Sequence, residues 1–395
     1  MPQTRKIVVV GAGPVGCVLS VLLARRGFAV TTYEKRPDMR RADAAAGRSI
    51  NLVLTRRGLR ALELIGVREA LLNLTVPVLG RMMHSVDGGL AYQPYGKDDS
   101  ECNYSVSRGK LNEYLLDEAE RAGCVVHFDH ELVDADLDEG RLQFRRTDDA
   151  ALVEVRADVV FGCDGAPSAV RRALVAHHGA AEDVQLLDYG YKEVLFPATG
   201  DGNFPLAGHA LHIWPRGIHM LMGLANQNRS FTGTIYLPRE GADSFAAIDT
   251  VAEVEAFFRA HYPDAVPLLE PGWAEEFVSN PIGTLGTVYS APWFHEDRAL
   301  LLGDAAHGIV PFFGQGLNCG FEDCAVLWEL FEELGSEDLG AVFRTFFERR
   351  KDNADAIAGA DAGNYTLDLV ADALADITAR PATWITDNSG KIFGE

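Results

Sequence analysis

The sequence predicts an α/β protein with a Rossmann-like nucleotide-binding domain, an inserted β-sheet domain and C-terminal helices. Three patterns along the 395 residues lead to this fold class. An apolar run at residues 6–10 leads through a glycine-rich turn into an apolar segment of helical length. Residues 186–237 hold short strand-like runs between turn residues, and residues 351–395 are helix-prone until Pro381.

The start of the chain has the pattern of a complete βαβ unit. Residues 6–10 are a β-branched run that predicts a strand, and residues 17–26 predict a helix. Gly27 suits the position just after a helix, where the backbone often needs a positive φ. Residues 28–33 predict a second strand, so the unit has the order on which dinucleotide-binding folds are built.

A glycine fingerprint stands between the first strand and the first helix. Gly11, Gly13 and Gly16, with Val15 inside the same turn, allow a tight bend and let a pyrophosphate approach the helix N-terminus. Glu34 ends the second strand, where a carboxylate can accept hydrogen bonds from ribose hydroxyls and disfavours a 2′-phosphate. The pattern predicts a dinucleotide site without choosing between FAD and NAD.

A second glycine-rich segment favours FAD. A predicted strand at residues 298–302 is followed by Gly303-Asp304, and Gly316, Leu317 and Asn318 open a predicted helix of about residues 317–335. Asp304 can bind a ribityl hydroxyl, and N–H groups near Gly316 can face the flavin edge that becomes negative on reduction. Taken alone, Asp304 is explained equally well as a turn or N-cap residue.

Composition excludes several functions. Lys and Arg number 36 against 57 Asp and Glu, a net charge of −21, which argues against binding to nucleic acid or to anionic membranes. The six cysteines form no CxxC pair, which predicts reduced thiols rather than disulfides or a metal site. We also expect no signal peptide and no membrane anchor, and hence a cytoplasmic protein.

Three segments together resemble the class A flavoprotein aromatic hydroxylases: residues 11–16, Asp164-Gly165 and Gly303-Asp304. In that family the segment resembling Asp164 contacts the flavin and the nicotinamide nucleotide, and the arginine resembling Arg108 reaches the FAD phosphates. The resemblance implies a fold like that of para-hydroxybenzoate hydroxylase. Its implied divisions are an FAD-binding domain of residues 1–75, 104–180 and 290–350, a substrate domain of residues 76–103 and 181–289, and a helical tail of residues 351–395.

The resemblance is most specific to the kynurenine 3-monooxygenase family, and it extends to about residue 350. The segments that carry it are residues 47–52, 81–85, 94–96, 190–193, 212–217 and 311–324. It implies that Arg81 and Tyr95 hold a substrate carboxylate with help from Asn318 and Tyr365. It also implies that Pro311, Phe312 and Phe313 wall the oxygen pocket. Without the family, Arg81 would be interpreted as a surface residue and Tyr95 as a packing residue.

The function that the resemblance implies is NADPH- and FAD-dependent conversion of L-kynurenine to 3-hydroxykynurenine. Dioxygen would react through a hydroperoxide at flavin C4a, and NADPH would visit without a second nucleotide domain. We predict no catalytic acid or base, because the flavin carries the chemistry. Two alternatives stay open: hydroxylation of another aminoaryl or aromatic acid, and a flavin-binding sensor without turnover. We expect a monomer or a homodimer.

Overall fold

The computed structural model describes residues 5–41 and 51–362, without the side chains of residues 313 and 360–362. Its strands are β1 (Lys6–Val10), β2 (Ala29–Tyr33), β3 (Asn51–Leu54), β4 (Val76–Val78), β5 (Gly80–His84), β6 (Leu90–Pro94), β7 (Asn103–Ser107), β8 (Val125–His127), β9 (His130–Asp136), β10 (Arg141–Arg146), β11 (Leu152–Arg156), β12 (Val159–Gly162), β13 (Ala181–Phe196), β14 (Ala210–Arg216), β15 (His219–Ala225), β16 (Phe231–Pro238), β17 (Gly283–Ala291), β18 (Phe294–His295) and β19 (Ala299–Leu301). Its helices are α1 (Pro14–Arg25), α2 (Arg56–Leu64), α3 (Arg68–Leu72), α4 (Arg108–Arg121), α5 (Ala169–His177), α6 (Val251–His261), α7 (Trp273–Ser279), α8 (Asp304–His307), α9 (Gly316–Leu334) and α10 (Leu339–Ala362). Short 3-10 turns lie at Phe245–Ala247, Val266–Leu268 and Pro311–Phe313.

A six-stranded sheet of order β18-β19-β12-β1-β2-β8 forms the nucleotide-binding part. Its strands are parallel except for β18, which pairs antiparallel with β19. The chain passes from β1 to β2 on one side and reaches β12 on the other. In such sheets ligands bind beyond the carboxyl ends of the strands, at the point where the strand order reverses. Residues 11–16 lie there.

A seven-stranded sheet of order β17-β13-β16-β15-β14-β5-β6 forms the second part. Side chains alternate between its two faces, as the pleat of a strand requires. His212 and Trp214 of β14 lie on the face that packs against α6 and α7, whereas Leu211 and Ile213 belong to the other face. One face therefore closes a core, and the other is left to line a cavity.

The C-terminal helices complete the nucleotide-binding part. α9 packs against α1, α2 and α10, and α10 places Phe343 edge-on against Phe161 of β12. A three-stranded sheet of order β3-β7-β4 and another of order β11-β10-β9 accompany the two large sheets. Among the described helices, none is both long enough and apolar enough to cross a membrane.

The predicted α/β architecture is confirmed, and the predicted helix of residues 317–335 is observed as α9. The domain bounds stay a prediction. Residues 76–78 belong to β4, which pairs with β7 and not with the seven-stranded sheet. The predicted tail is seen as α10 as far as Ala362, and its later residues lie outside the described part of the chain.

Candidate active site

A cavity of about 1190 Å³ is lined by residues from both large sheets. Most of the residues singled out from the sequence line it, although the chain brings them from distant segments. Those predicted to bind the cofactor are Gly11, Gly13, Val15, Glu34, Arg108, Asp164, Asp304, Gly316 and Leu317. Those predicted to contact substrate or wall the oxygen pocket are Arg81, Tyr95, Pro311 and Phe312.

The glycines in the turn after β1 have two roles: some are needed for the turn itself, and one leaves room in the cavity. Gly11 has a φ of +100°, and a Cβ added there would lie 2.4 Å from the carbonyl oxygen of Cys163. A Cβ on Gly16 would lie 2.0 Å from the carbonyl oxygen of Gly11, so both glycines are needed for the turn itself. Nothing lies within 4 Å of a Cβ on Gly13, which lines the cavity at the start of α1. The turn thus leaves room for a ligand at a helix N-terminus, where anions are favoured.

Glu34 stabilises this turn and also lines the cavity. Its Oε2 accepts a hydrogen bond from the N–H of Ala12 at 2.9 Å, and its Oε1 accepts from the backbone N–H and the Nε–H of Arg36. Burial acts to raise the pKa of this carboxyl, but the hydrogen bonds and charge of Arg36 outweigh it and lower the pKa. Glu34 is therefore ionised and can accept a hydrogen bond from a ribose hydroxyl.

Asp304 stands at the centre of the lining. Gly303 takes a φ of 59° and a ψ of −143°, which turns the chain so that Asp304 opens α8. The Asp304 carboxylate is open to the cavity but lies deep in the molecule. Burial therefore raises its pKa, and His307 and Arg108 oppose that rise. No side-chain hydrogen bond to Asp304 is found in the part of the chain that the structure describes, so both oxygens can accept from a ligand.

Two groups suited to phosphate and flavin border the same space. Arg108 begins α4, lines the cavity and has no ion-pair partner within residues 5–41 and 51–362. Gly316 and Leu317 begin α9, whose first N–H groups have no partner inside the helix. Because these cationic and N–H groups converge on one elongated cavity with Asp304 and Glu34, the residues present fit a dinucleotide such as FAD.

Asp164 lines the cavity but serves first as a helix cap. Its Oδ1 accepts from the Ser168 hydroxyl at 2.6 Å, and its Oδ2 accepts from the N–H of Ala169 at 2.6 Å. Burial raises the pKa of Asp164, and these hydrogen bonds oppose the rise. Contact with the flavin or a nicotinamide nucleotide stays a prediction for this residue.

Arg81 and Tyr95 contact each other at the apolar part of the cavity lining. The Nε–H of Arg81 donates to the Tyr95 hydroxyl at 3.4 Å, and the guanidinium carbon lies 5.3 Å from the centre of the Tyr95 ring. No carboxylate pairs with Arg81 among the residues described. The neighbouring lining is made of the apolar side chains of Leu211, Ile213, Met220, Met222 and Phe312. A cation beside an apolar wall suits a small molecule that carries a carboxylate on an apolar body.

The side chain of Asn318 does not face the cavity, contrary to the predicted substrate contact. It is fully buried, and its Oδ1 accepts from the N–H of Thr55 at 2.9 Å. Its Nδ2 donates to the carbonyl oxygens of Val53 and Gly314, both at 2.9 Å. The amide therefore joins β3 to the loop before α9. The main-chain N–H of Asn318 remains in the first turn of that helix, which leaves its cofactor contact a prediction.

Besides Asn318, the predicted site residues not found in the cavity lining are Gly16, Phe313 and Tyr365. Gly16 lies behind the lining, where it supports the turn. Phe312 packs edge-on against Tyr236, with ring centres 5.4 Å apart, whereas the side chain of Phe313 is not described. Tyr365 lies outside the described residues.

Sequence reasoning missed a buried charge network behind Asp304. The Asp323 carboxylate, with 0% exposure, accepts from the Gly303 N–H at 2.8 Å, from His307 Nε2 at 2.7 Å and from Arg350 Nε at 2.7 Å. Burial opposes ionisation, but His307 and Arg350 lower the pKa of Asp323 to about 2. The network ties α9 and α10 to the loop that presents Asp304. Its only signal in the sequence is an aspartate on the apolar face of the helix, between Cys319 and Leu327.

Comparisons with known proteins identify the family to which this chain belongs. Residues 4–360 match the family described as the FAD binding domain. The kynurenine 3-monooxygenase of Myxococcus xanthus is 48% identical over 372 residues, which cover 92% of this chain and 79% of the relative. That of Stenotrophomonas maltophilia is 43% identical over 362 residues, with coverage of 92% and 79%.

Solved structures confirm the fold. The tetrameric form of 2-methyl-3-hydroxypyridine-5-carboxylic acid oxygenase has a TM-score of 0.75 at 22% identity, covering 93% of each chain. A variant of HpxO from Klebsiella pneumoniae, in complex with FAD, has a TM-score of 0.75 at 17% identity, covering 98% of each chain.

Proposed function

This chain belongs to the FAD-binding kynurenine 3-monooxygenase family, and we propose that it hydroxylates L-kynurenine to 3-hydroxykynurenine with NADPH as reductant. The observation that carries the proposal is Arg81, an arginine that faces the cavity without a carboxylate partner among the described residues. It stands beside an apolar wall and shares the cavity with the glycine turn and Asp304. The site can therefore hold a dinucleotide and an amphipathic acid together.

The residues that would hold FAD are those of the two glycine loops. The N-terminus of α1 behind Gly13 favours the pyrophosphate, and Arg108 adds a positive charge. Glu34 accepts hydrogen bonds from the ribose hydroxyls, and Asp304 accepts them from the hydroxyls of the ribityl chain. When bound, FAD supplies the activation of dioxygen and the delivery of one oxygen atom to an aromatic ring.

The α-carboxylate and the aromatic ring of the substrate contact different parts of the cavity, which fixes its orientation. Arg81 donates hydrogen bonds to the α-carboxylate, and the Tyr95 hydroxyl adds a further donor. Leu211, Ile213 and Met222 pack against the aromatic ring and keep water from it. No protein base is required, because the amino group of kynurenine already makes the neighbouring ring carbon nucleophilic.

We also propose a cytoplasmic location and a monomeric or homodimeric assembly. All six cysteines are free thiols, and four of them, Cys17, Cys124, Cys319 and Cys324, are buried. Free thiols are typical of a reducing compartment. Size-exclusion chromatography with light scattering tests the assembly, and a tetramer or larger oligomer would contradict it.

The decisive experiment measures NADPH oxidation by the FAD-loaded protein with and without L-kynurenine, with the products identified by mass spectrometry. We expect faster oxidation and a product that co-elutes with 3-hydroxykynurenine. Kynuramine, which has the same aromatic ring without the α-carboxylate, is the matched control and should stimulate oxidation weakly.

Two outcomes would overturn the proposed substrate. Faster oxidation that yields only hydrogen peroxide would mean that kynurenine is an effector and that another aminoaryl acid is the substrate. No response to kynurenine or to any aromatic acid would favour the flavin-binding sensor.

A further inference from the structure

A cluster of metal-ligating side chains lies on the seven-stranded sheet, outside the cavity lining. His219 begins β15, His261 ends α6, and Asp243 lies in the segment between β16 and α6. One ring nitrogen of each histidine and one carboxylate oxygen of Asp243 lie within 4.8 Å of one another. The distance between His261 Nε2 and Asp243 Oδ1 is 3.7 Å. Three separate parts of the chain thus bring three ligand atoms, of two types, close together.

A hydrogen bond with Tyr262 fixes the ring of His219. His219 is only 1% exposed, and its Nδ1 lies 2.6 Å from the hydroxyl of Tyr262. In metal-bound histidines, a hydrogen bond from the ring nitrogen that does not bind the metal commonly fixes the ring. Nε2 of His219 has no hydrogen-bond partner within the described ranges, so it is the nitrogen left for an ion.

The two imidazole rings have a suitable mutual geometry. Their centres are 4.7 Å apart and their planes are perpendicular. Two imidazoles bound to one tetrahedral ion at Zn–N distances of about 2.0–2.1 Å have centres about 5 Å apart. The observed spacing therefore needs little adjustment to admit an ion.

The cluster is open to solvent and includes one carboxylate that can balance the charge of a cation. The side chains of His261 and Asp243 are 31% and 44% exposed, which opens the cluster to solvent. Arg216 repels a cation, and the carboxylate of Asp243 offsets that repulsion.

We propose that His219, Asp243 and His261 bind one divalent ion of the zinc class, with water as the fourth ligand. Two imidazoles and one carboxylate favour zinc or a similar borderline ion over magnesium or calcium, which prefer oxygen ligands. The ion would tie α6 and the preceding segment to β15. The sequence predicted no metal site, and the three ligands form no local motif in it.

A second cluster offers a matched control. Asp138, His178 and His295 also place their ligand atoms within 4.8 Å of one another. Here the rings are only 3.7 Å apart and tilted by 30°, and His295 Nε2 already contacts Asp138 Oδ1 at 2.7 Å. This spacing is too close for two imidazoles on one ion.

The test is calorimetric titration of Zn²⁺ into tag-free, chelator-treated, FAD-loaded protein, with Co²⁺ absorption as a second probe. We expect one Zn²⁺ per chain and a rise in Tm. His261→Ala and Asp243→Asn should each weaken binding at least tenfold, and His295→Ala should leave it unchanged. Circular dichroism checks that each variant is folded.

Three results would overturn the proposal: no Zn²⁺ binding by the folded wild-type protein, unchanged binding in His261→Ala, or loss of binding in His295→Ala. None of them bears on kynurenine hydroxylation, because these residues do not line the cavity.

Discussion

Charged side chains on the two sides of the cavity differ in how completely they are paired. Behind Asp304, the Asp323 carboxylate is bound by Gly303, His307 and Arg350, all of them buried. At the apolar wall, Arg81 has only the Tyr95 hydroxyl beside it among the described residues. A charge removed from water is costly unless it is paired. The paired network therefore stabilises the structure, and we propose that the incomplete pairing at Arg81 serves a ligand.

The same contrast appears between the first turns of α8 and α9. Asn318 uses its amide in three hydrogen bonds to the protein, whereas Asp304 offers both carboxylate oxygens to the cavity. Both residues are polar and both belong to segments that the family resemblance marks. Hydrogen bonds within the protein, and not residue type, therefore distinguish Asn318, whose amide is fully used, from Asp304, which we propose binds a ligand.

The largest effect is expected from Asp323→Asn. It removes the negative charge between His307 and Arg350 and should lower the free energy of unfolding by about 3–5 kcal/mol. Thermal and urea unfolding of the FAD-loaded protein measure this loss. Glu333→Gln is the control, because Glu333 pairs with Arg349 at the surface and its loss should change the free energy of unfolding little. Equal losses in both variants would mean that the buried network does not differ from a surface pair.

The second largest effect is expected from Arg81→Ala. Truncating one partner of a buried charge pair costs about 2–5 kcal/mol, so kcat/KM for kynurenine should fall by about 30-fold or more. Flavin content should stay normal, because Arg81 lies on the substrate side. Arg259→Ala, on the surface of α6, is the control and should leave kcat/KM unchanged. Retained kcat/KM in Arg81→Ala would remove the carboxylate assignment.

Asp304→Asn tests whether the Asp304 carboxylate, which faces the cavity, binds FAD. Hydrogen bonds to a charged acceptor contribute about 1.5–3 kcal/mol, so FAD affinity should fall about tenfold or more. Fluorescence titration of the FAD-free protein measures it. Asp297→Asn, which removes the partner of Arg5 at the protein surface, should have no effect on FAD affinity. Unchanged affinity in Asp304→Asn would make this residue a helix-start residue only.

The pH dependence of stability should also report the paired network. The pKa of Asp323 is lowered from 3.8 to about 2 in the folded protein. The stability that its ionised form contributes is therefore fully present above pH 3.8, the pKa in the unfolded chain, and is lost as the pH falls toward 2. At 1.36 kcal/mol per pKa unit, the contribution is about 2 kcal/mol. The difference in unfolding free energy between wild type and Asp323→Asn should therefore shrink below about pH 4. A constant difference would contradict the low pKa.

Tyr95→Phe is expected to have the smallest effect. It removes one neutral hydrogen-bond donor near the carboxylate, worth about 0.5–1.5 kcal/mol, and keeps the ring beside Arg81. KM for kynurenine should rise by about two- to tenfold with kcat nearly unchanged. Steady-state kinetics measure both. A fall in kcat with normal KM would place Tyr95 near the reacting atoms instead.

Much of the nucleotide-binding part was predictable from the sequence. The turn at Gly11 and Gly16 follows from the spacing of three glycines after a β-branched strand, and Glu34 follows from its place at the end of the next strand. These are local patterns, set by backbone sterics and by the period of strands and helices. The start of α9 at Gly316 was predictable to within one residue for the same reason.

The sequence by itself thus determined the fold class, the dinucleotide turn and, partly through family resemblance, 13 of the residues that line the cavity. Only the tertiary structure decided how their polar groups are satisfied. Asn318 meets Thr55 across 263 residues, and the Asp323 carboxylate meets Arg350 from another helix. The ligands His219 and His261 likewise converge only after β15 and α6 have packed. Hydrogen-bond pairing between distant elements depends on packing in space, and no local sequence period encodes it.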